Sequence, residues 1–423
     1  MKNFIYQNPF LKKSTFIIFF LTLSLLSFSQ EKQRTCGTEE YMKQQLQQPI
    51  FAKQHAISQA KFDAELLKMK SGITQQRATL IIPVAVHFPE SNENDRACLE
   101  ALAQVQVDIL NNDYTGTNSD ISNWNSASSN YPNTNTGSTD VMFVIATQDH
   151  PINSDQDLTE GGPAVTIGFP FGNGDFDNKW SGYMNFVVRQ LENGTLGYSP
   201  VGGSITNGYS VVMNLRAFGA GNGCPGVSPN SPFNLGRTVT HELGHFFNLR
   251  HTFTSSCNTD DNISDTPNIS SATYNCPSAG SKNACVAGEK ALTMNYMDYV
   301  DDACMYMFTE GQTARMEAYL ASIASDFKPN VTLAIEDQII TETFKLWPNP
   351  SNGKIHISFN TTKSNDVNLK LFDIRGRLMS DKIYKNNSNT FNETLNFNDI
   401  DSAVYILKIK TGNNDFYRRV IIR

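Results

Sequence analysis

Eleven residues past the middle of the chain, HELGHFFNLRH at 241–251, gather three of its seven histidines and set the strongest limit on what can surround them. Leu235, Val239, Leu243 and Phe246 recur at helical spacing, which predicts a helix over roughly 235–247. His241 and His245 then lie one turn apart on one face, where both imidazoles can bind a single Zn2+. Glu242 stands beside the first of them, placed to act as general base on a metal-bound water. His251 follows His245 by six residues and falls off that face, so the chain must turn back near Asn248. Asparagine is one of the few non-glycine residues that accept a positive φ. Three neutral imidazoles leave a fourth position open, the ligand count of a catalytic rather than a structural zinc site.

The 423 residues exceed one domain, and changes of texture divide them. Residues 1–29 place Lys2, Lys12 and Lys13 ahead of the apolar run FIIFFLTLSLLSF, with Ser27 and Ser29 before Gln30, the pattern of a secretory signal peptide. That run is shorter than a bilayer span requires, so no permanent membrane span is expected. Residues 30–77 are rich in Lys, Gln, Glu and Ala, with Tyr41, Leu46, Phe51, Ile57, Phe62, Leu66 and Leu67 at helical spacing; they are expected to form a helical prosegment.

From Ala78 to Lys328 the pattern is that of a mixed α/β (α+β) domain. TLIIPVAVHF reads as a strand, and a helix through Leu99, Leu102, Val105, Ile109 and Leu110 is expected to stop at Asn111–Asp113. Further β-like runs lie at 141–147, 164–169, 182–188 and 209–214. A closing helix begins at a capping box of Thr309 and Gln312 and carries Met316, Tyr319, Leu320 and Ile323. A linker at 329–340 leads to residues 341–423, whose short alternating runs predict a smaller all-β sandwich.

Charge excludes one class of partner. The first 29 residues carry three lysines and no acid, and residues 341–423 carry 13 basic and 8 acidic groups; with a total of -7, residues 30–340 hold -15. Phosphate recognition needs clustered Lys and Arg, so no nucleic acid is expected there. Seven cysteines in an exported chain permit disulfides, and the odd number leaves at least one unpaired within the chain. Nothing in the spacing pairs Cys98 with Cys224, and Cys257, Cys276, Cys285 and Cys304 allow three connectivities.

The extended histidine motif resembles the HExxHxxGxxH zinc signature of the metzincin metalloproteases, with Asn248 in place of the glycine. The run TMNYMDYVDDACMYMFTEGQTARM is similar to the methionine-turn region of the pappalysin family, as are GRT at 236–238, His251 to Phe253 and DTP at 265–267. The resemblance implies a metzincin-like zincin catalytic domain and a secreted zinc endopeptidase made as a latent precursor. In it Met297 is the turn methionine, and Tyr299 lies near the zinc to stabilise the oxyanion. It further implies the pairs Cys257–Cys285 and Cys276–Cys304. Asp260, Asp261 and Asp265 cluster in the same loop; spacing alone suits a solvated acidic turn nearly as well, and the resemblance favours Ca2+, with Asp261 and Thr266 as ligands beside Asp265.

Cys36, in RTCGTEE, is a candidate latency ligand for the open zinc position, as in metzincins with a cysteine switch; the alternative is a free or intermolecular thiol. Arg77 is a candidate activation point, and an edge strand around Leu196–Val201 is expected to align protein or peptide substrates. The competing class, a surface-displayed binding protein with a vestigial zinc site, is disfavoured by the intact Glu242. WPNPSNGK, LFDIRGRLM, VYILKIK and RRVIIR together resemble the C-terminal sorting domain of type IX secretion cargo, against the alternative of a carbohydrate-binding or adhesive β-sandwich. The type IX secretion machinery is thus an expected partner, and the mature protein is expected to be extracellular or at the cell surface.

Overall fold

The structure, a computed structural model, describes residues 33–71, 79–151, 155, 157–329, 331, 344–360, 366–386, 390–411 and 414–423. The expected signal peptide, Arg77 and nearly all of the linker lie outside these residues. Two helices come first, α1 (Thr38–Gln45) and α2 (Pro49–Lys70), both within the expected prosegment.

The almost unbroken apolar run LIIPVAVHF forms β1 (Leu80–Phe88), a strand covered on both faces, as such runs usually are in parallel sheets. It is followed by α3 (Arg96–Thr115), the one-turn α4 (Trp124–Ala127), β2 (Val141–Ile145), β3 (Val165–Ile167), β4 (Met184–Arg189), β5 (Gly197–Tyr198) and β6 (Ser210–Asn214). They form a sheet in the order β2-β1-β4-β6-β5, with β3 pairing the far end of β1. Every pairing is parallel except that of β5, which runs antiparallel to β6 at the edge. The motif helix α5 (Arg237–Phe246) packs against α3, and α6 (Glu310–Ile323) closes the domain with the expected Thr309–Gln312 capping box.

Helix α3 does not stop at Asn111–Asp113. It runs to Thr115 and ends where Gly116 takes φ +62°. The two polar residues are buried and held by partners from other elements. The Asn111 amide donates to Phe143 O and accepts from Phe143 N, each at 2.9 Å, and Asp113 accepts from Thr240 Oγ1 of α5 at 2.7 Å.

The C-terminal strands are β7 (Lys345–Trp347), β8 (Lys354–Asn360), β9 (Val367–Asp373), β10 (Leu378–Tyr384), β11 (Thr390–Asn396), β12 (Ala403–Thr411) and β13 (Asn414–Ile422). They make two sheets, β10-β9-β12-β13 and β11-β8-β7, around Ile355, Ile357, Leu369, Leu407 and Val420. The sandwich is not a detached module: residues 34–423 form one compact unit. Val404 and Ile421 pack on Met142 of β2, and the buried Arg419 donates to Thr139 O at 3.0 Å, to Val141 O and to Asp140 Oδ1 at 2.9 Å. Among the described residues no helix is long and apolar enough to cross a membrane.

Candidate metal centre

Helix α5 is buried along its whole length beneath the β5 edge of the sheet. Two glycines allow the close approach. A Cβ on Gly197 would sit 2.8 Å from Glu242 Cγ, and one on Gly244 would sit 2.6 Å from Met297 Sδ. The edge strand and the methionine turn are therefore pressed against opposite parts of the same helix. Beyond Phe246, Asn248 takes φ +72° as its sequence position predicts, and the chain returns with His251.

His241 Nε2 and His245 Nε2 lie 3.2 and 3.1 Å from His251 Nε2. Each Nδ1 faces an acceptor: Tyr296 O at 2.6 Å, Leu249 O at 3.0 Å and Glu39 Oε1 at 3.2 Å, respectively. Carbonyl and carboxylate oxygens only accept, so each Nδ1 carries the proton and each Nε2 presents a lone pair. Burial holds His241 and His245 well below the usual histidine range, which keeps both neutral. Three lone pairs about 3 Å apart repel one another unless a cation lies between them, so the donor set fits a Zn2+ ion.

Glu242 is buried beside this triangle. Its Oε2 accepts from Thr38 Oγ1 at 3.1 Å and Cys36 Sγ at 3.2 Å, and among the described residues no group bonds to its Oε1. Burial pushes its pKa up to about 7, against the pull of those two bonds. Cys36 Sγ is 3.6 Å from His245 Nε2, and the ligand atoms of Cys36, His241, His245 and His251 all lie within 4.8 Å of one another. Tyr299 stands over the cluster, its ring 5.0 Å from that of His251 and 5.8 Å from that of His241. Burial, then the nearby Cys36 and Glu242, push its phenol above the ordinary tyrosine range.

The remaining candidates are placed less uniformly. Cys257–Cys285 and Cys276–Cys304 are bonded, as is Cys98–Cys224, and Cys36 is free. Asp261 is buried and accepts from Thr266 Oγ1 at 2.8 Å and from Ile263 N at 3.1 Å. Asp265 instead spends its oxygens on Thr309 Oγ1 and Gly311 N at the start of α6, at 2.7 and 2.8 Å. Among the described residues, the side chains that gather to a common point are Cys36 and the three histidines, not these aspartates.

Sequence reasoning missed Arg34. Its buried guanidinium pairs with Asp302 Oδ1 at 2.6 Å, donates to Thr238 Oγ1 at 2.9 Å and Val300 O at 3.1 Å, and lies over the Phe233 ring. The position two before Cys36 was its only local signal. The segment expected to be a prosegment also takes up the outer groups of residues 196–201. Leu196 N donates to Thr35 O, Gly37 N to Gly197 O, Ser199 N to Thr38 Oγ1, Val201 N to Met42 Sδ, and His55 Nε2 to Val201 O, at 2.9–3.3 Å.

A mostly parallel sheet whose antiparallel edge strand overlies a histidine-bearing helix is the framework of a metzincin-like metalloprotease. The comparisons agree. The family profile described as pregnancy-associated plasma protein-A matches residues 175–321. An extracellular metalloprotease of Pyricularia oryzae is 26% identical over 310 residues, covering 73% of this chain and 95% of its own. One from Verticillium alfalfae is 45% identical over 123 residues, 26% of this chain and 44% of that one. A promirolysin structure from Tannerella forsythia is 28% identical and covers 69% of this chain and 95% of its own, with a TM-score of 0.52; mirolysin in complex with compound 9 is 30% identical, with 61% and 100% covered and a TM-score of 0.51. The chain belongs to the pappalysin family of metalloproteases. Residues 345–423 match the secretion system C-terminal sorting domain, so this is a metalloprotease exported by the type IX route.

Proposed function

We propose that this chain is the latent precursor of a zinc endopeptidase, held inactive by its own prosegment. The observation that carries the reading is Cys36 Sγ at the histidine triangle, 3.6 Å from His245 Nε2, with Glu242 engaged by the same segment. His241, His245 and His251 would hold the ion, and a thiolate at Cys36 would fill the position that substrate and water need. When bound, zinc polarises the scissile carbonyl and acidifies the attacking water.

This chain's residues supply the rest. Once Cys36 and Thr38 leave, Glu242 takes the proton of the attacking water and returns it to the leaving amine. The Tyr299 hydroxyl donates to the oxygen on which charge develops. The backbone of 196–201, released by the prosegment, pairs with an extended peptide and fixes its register. The slot vacated by Arg34, with Asp302 at its base, Thr238 and Val300 beside it and Phe233 as a wall, suits a basic side chain next to the scissile bond.

Casein degradation by the activated protein tests this. Activity is expected to vanish with chelator and return with zinc, and to fall by several orders of magnitude in Glu242→Gln. Equal activity of Glu242→Gln and wild type would remove Glu242 from the mechanism.

A further inference from the structure

The prosegment leaves an imprint on both sides of Cys36. Arg34 fills one slot, and Tyr41 fills another in the opposite chain direction. Gly197 faces Glu242, so on a pleated strand the next residue, Tyr198, points to the other face of the sheet. There its ring meets that of Tyr41, with centroids 5.1 Å apart and planes inclined by 34°. Tyr209, itself packed on Phe176 and on Phe51 of α2, adjoins the pair.

The Tyr198 ring is fixed independently of the prosegment. Its hydroxyl donates to Asp175 Oδ1 at 2.6 Å and accepts from Arg189 Nη2 at 2.8 Å, and Arg189 and Asp175 face each other at 3.8 Å. All three belong to the catalytic domain, so the platform keeps its orientation when Tyr41 departs. A preformed aromatic surface binds without the entropy cost of ordering it. The Asp175 charge is already shared by a hydroxyl and a guanidinium, so it does not call for a cation. What the slot lacks once the prosegment is gone is an aromatic ring.

We infer that Tyr198, held by Asp175 and Arg189, is the floor of a substrate subsite for an aromatic side chain, on the side of the scissile bond opposite the Arg34 slot. This rests on the protease reading and on peptide pairing with β5. Tyr198 points away from Glu242, so it acts on selection rather than on bond cleavage.

The test is a cleavage profile of the activated protein on a peptide library, followed by kcat/KM for matched peptides with Tyr or Ala at the selected position. Aromatic residues should be enriched at one position on that side, with a Tyr-over-Ala advantage of about 2- to 12-fold, the range of a single aromatic pair. Tyr198→Ala should abolish the advantage while leaving the preference at the Arg34 slot in the same profile; Tyr198→Phe, which keeps the ring, should retain most of it. Casein cleavage with no aromatic enrichment, or the same enrichment in Tyr198→Ala, would overturn this inference alone. If casein is not cleaved at all, the protease reading falls and takes the subsite with it.

Discussion

Replacing Arg34 with alanine tests what holds the prosegment in place. The guanidinium and the Asp302 carboxylate are both shielded from water, with side chains 1% and 0% exposed. In Arg34→Ala the carboxylate keeps two backbone donors at the start of α5, Leu235 N at 2.9 Å and Arg237 N at 3.3 Å, but loses its counter-charge. Breaking a buried pair from one side costs about 3–5 kcal/mol, and the two N–H groups place this case near the low end, ~3 kcal/mol. When the prosegment lifts away, water reaches Asp302, so the penalty falls on the docked form alone. The undocked fraction should then rise by roughly 100- to 200-fold.

Two assays read this shift. Basal hydrolysis of a quenched fluorescent peptide by the uncleaved precursor should increase by that factor until it approaches the activity of the mature form. In a Glu242→Gln background, which removes self-cleavage, the rate of tryptic nicking before residue 79 should rise in parallel. Adding Asp302→Asn should restore part of the latency, because a neutral amide needs no counter-charge. A precursor whose basal activity and nicking rate stay within about threefold of wild type would refute the view that the Arg34–Asp302 pair anchors the prosegment.

Three further outcomes are expected. Cys36→Ala should raise basal activity while the melting temperature, read by calorimetry in the Glu242→Gln background, falls little, since the Arg34 anchor and the α2 packing remain; an unchanged latency would reject Cys36 as the blocking ligand. Burial raises the Asp113 pKa to about 6 from an ordinary value of 3.8, against the pull of Arg237, so the folded form binds this proton more tightly than the unfolded form. Its contribution to stability is complete below about pH 4 and is lost as the pH rises through about 6. The stability difference between wild type and Asp113→Asn, from urea unfolding, should shift in favour of Asn across that window, and a flat difference would count against it. Arg419→Glu should free the C-terminal sheets from β2: with a cleavage site placed within 332–343, the wild-type tail should co-elute with the catalytic domain on gel filtration and the variant tail should not.

The features legible in the sequence are those that chemistry ties to local spacing. Two histidines four apart with a glutamate between them can hardly serve a metal except on a helix, and His251 required the turn that Asn248 makes. The capping box was readable for the same reason: Thr309 and Gln312 satisfy each other within one turn. Arg34 was not, because its partners Thr238, Val300 and Asp302 lie more than 200 residues away. Asn111 and Asp113 misled because they read as helix stops when exposed. Only a sheet and a second helix arriving from elsewhere make them interior residues.

Asn248 shows how such long-range placement bears on the one departure from the family signature. Glycine at this turn costs nothing at φ +72°, whereas asparagine adopts that conformation at some expense. In this chain the expense is offset. The Asn248 amide donates to Gln59 Oε1 at 3.2 Å and accepts from Gln59 Nε2 at 3.3 Å, joining the zinc-site turn to α2. Next to it, Phe62 of α2 packs on Tyr319 and lies under Arg315, whose Nε donates to Asn248 O at 2.7 Å. Once the prosegment leaves, the amide can hydrogen-bond to water instead, and the turn itself is still held by its backbone bonds, Asn248 N to His245 O and Leu249 N to Gly244 O. On the latent-precursor reading proposed above, the substitution strengthens the latent form through contacts that an activated form would not need. A glycine could hold His251 in place equally well, but it could not grip the helix that the proposed activation would release.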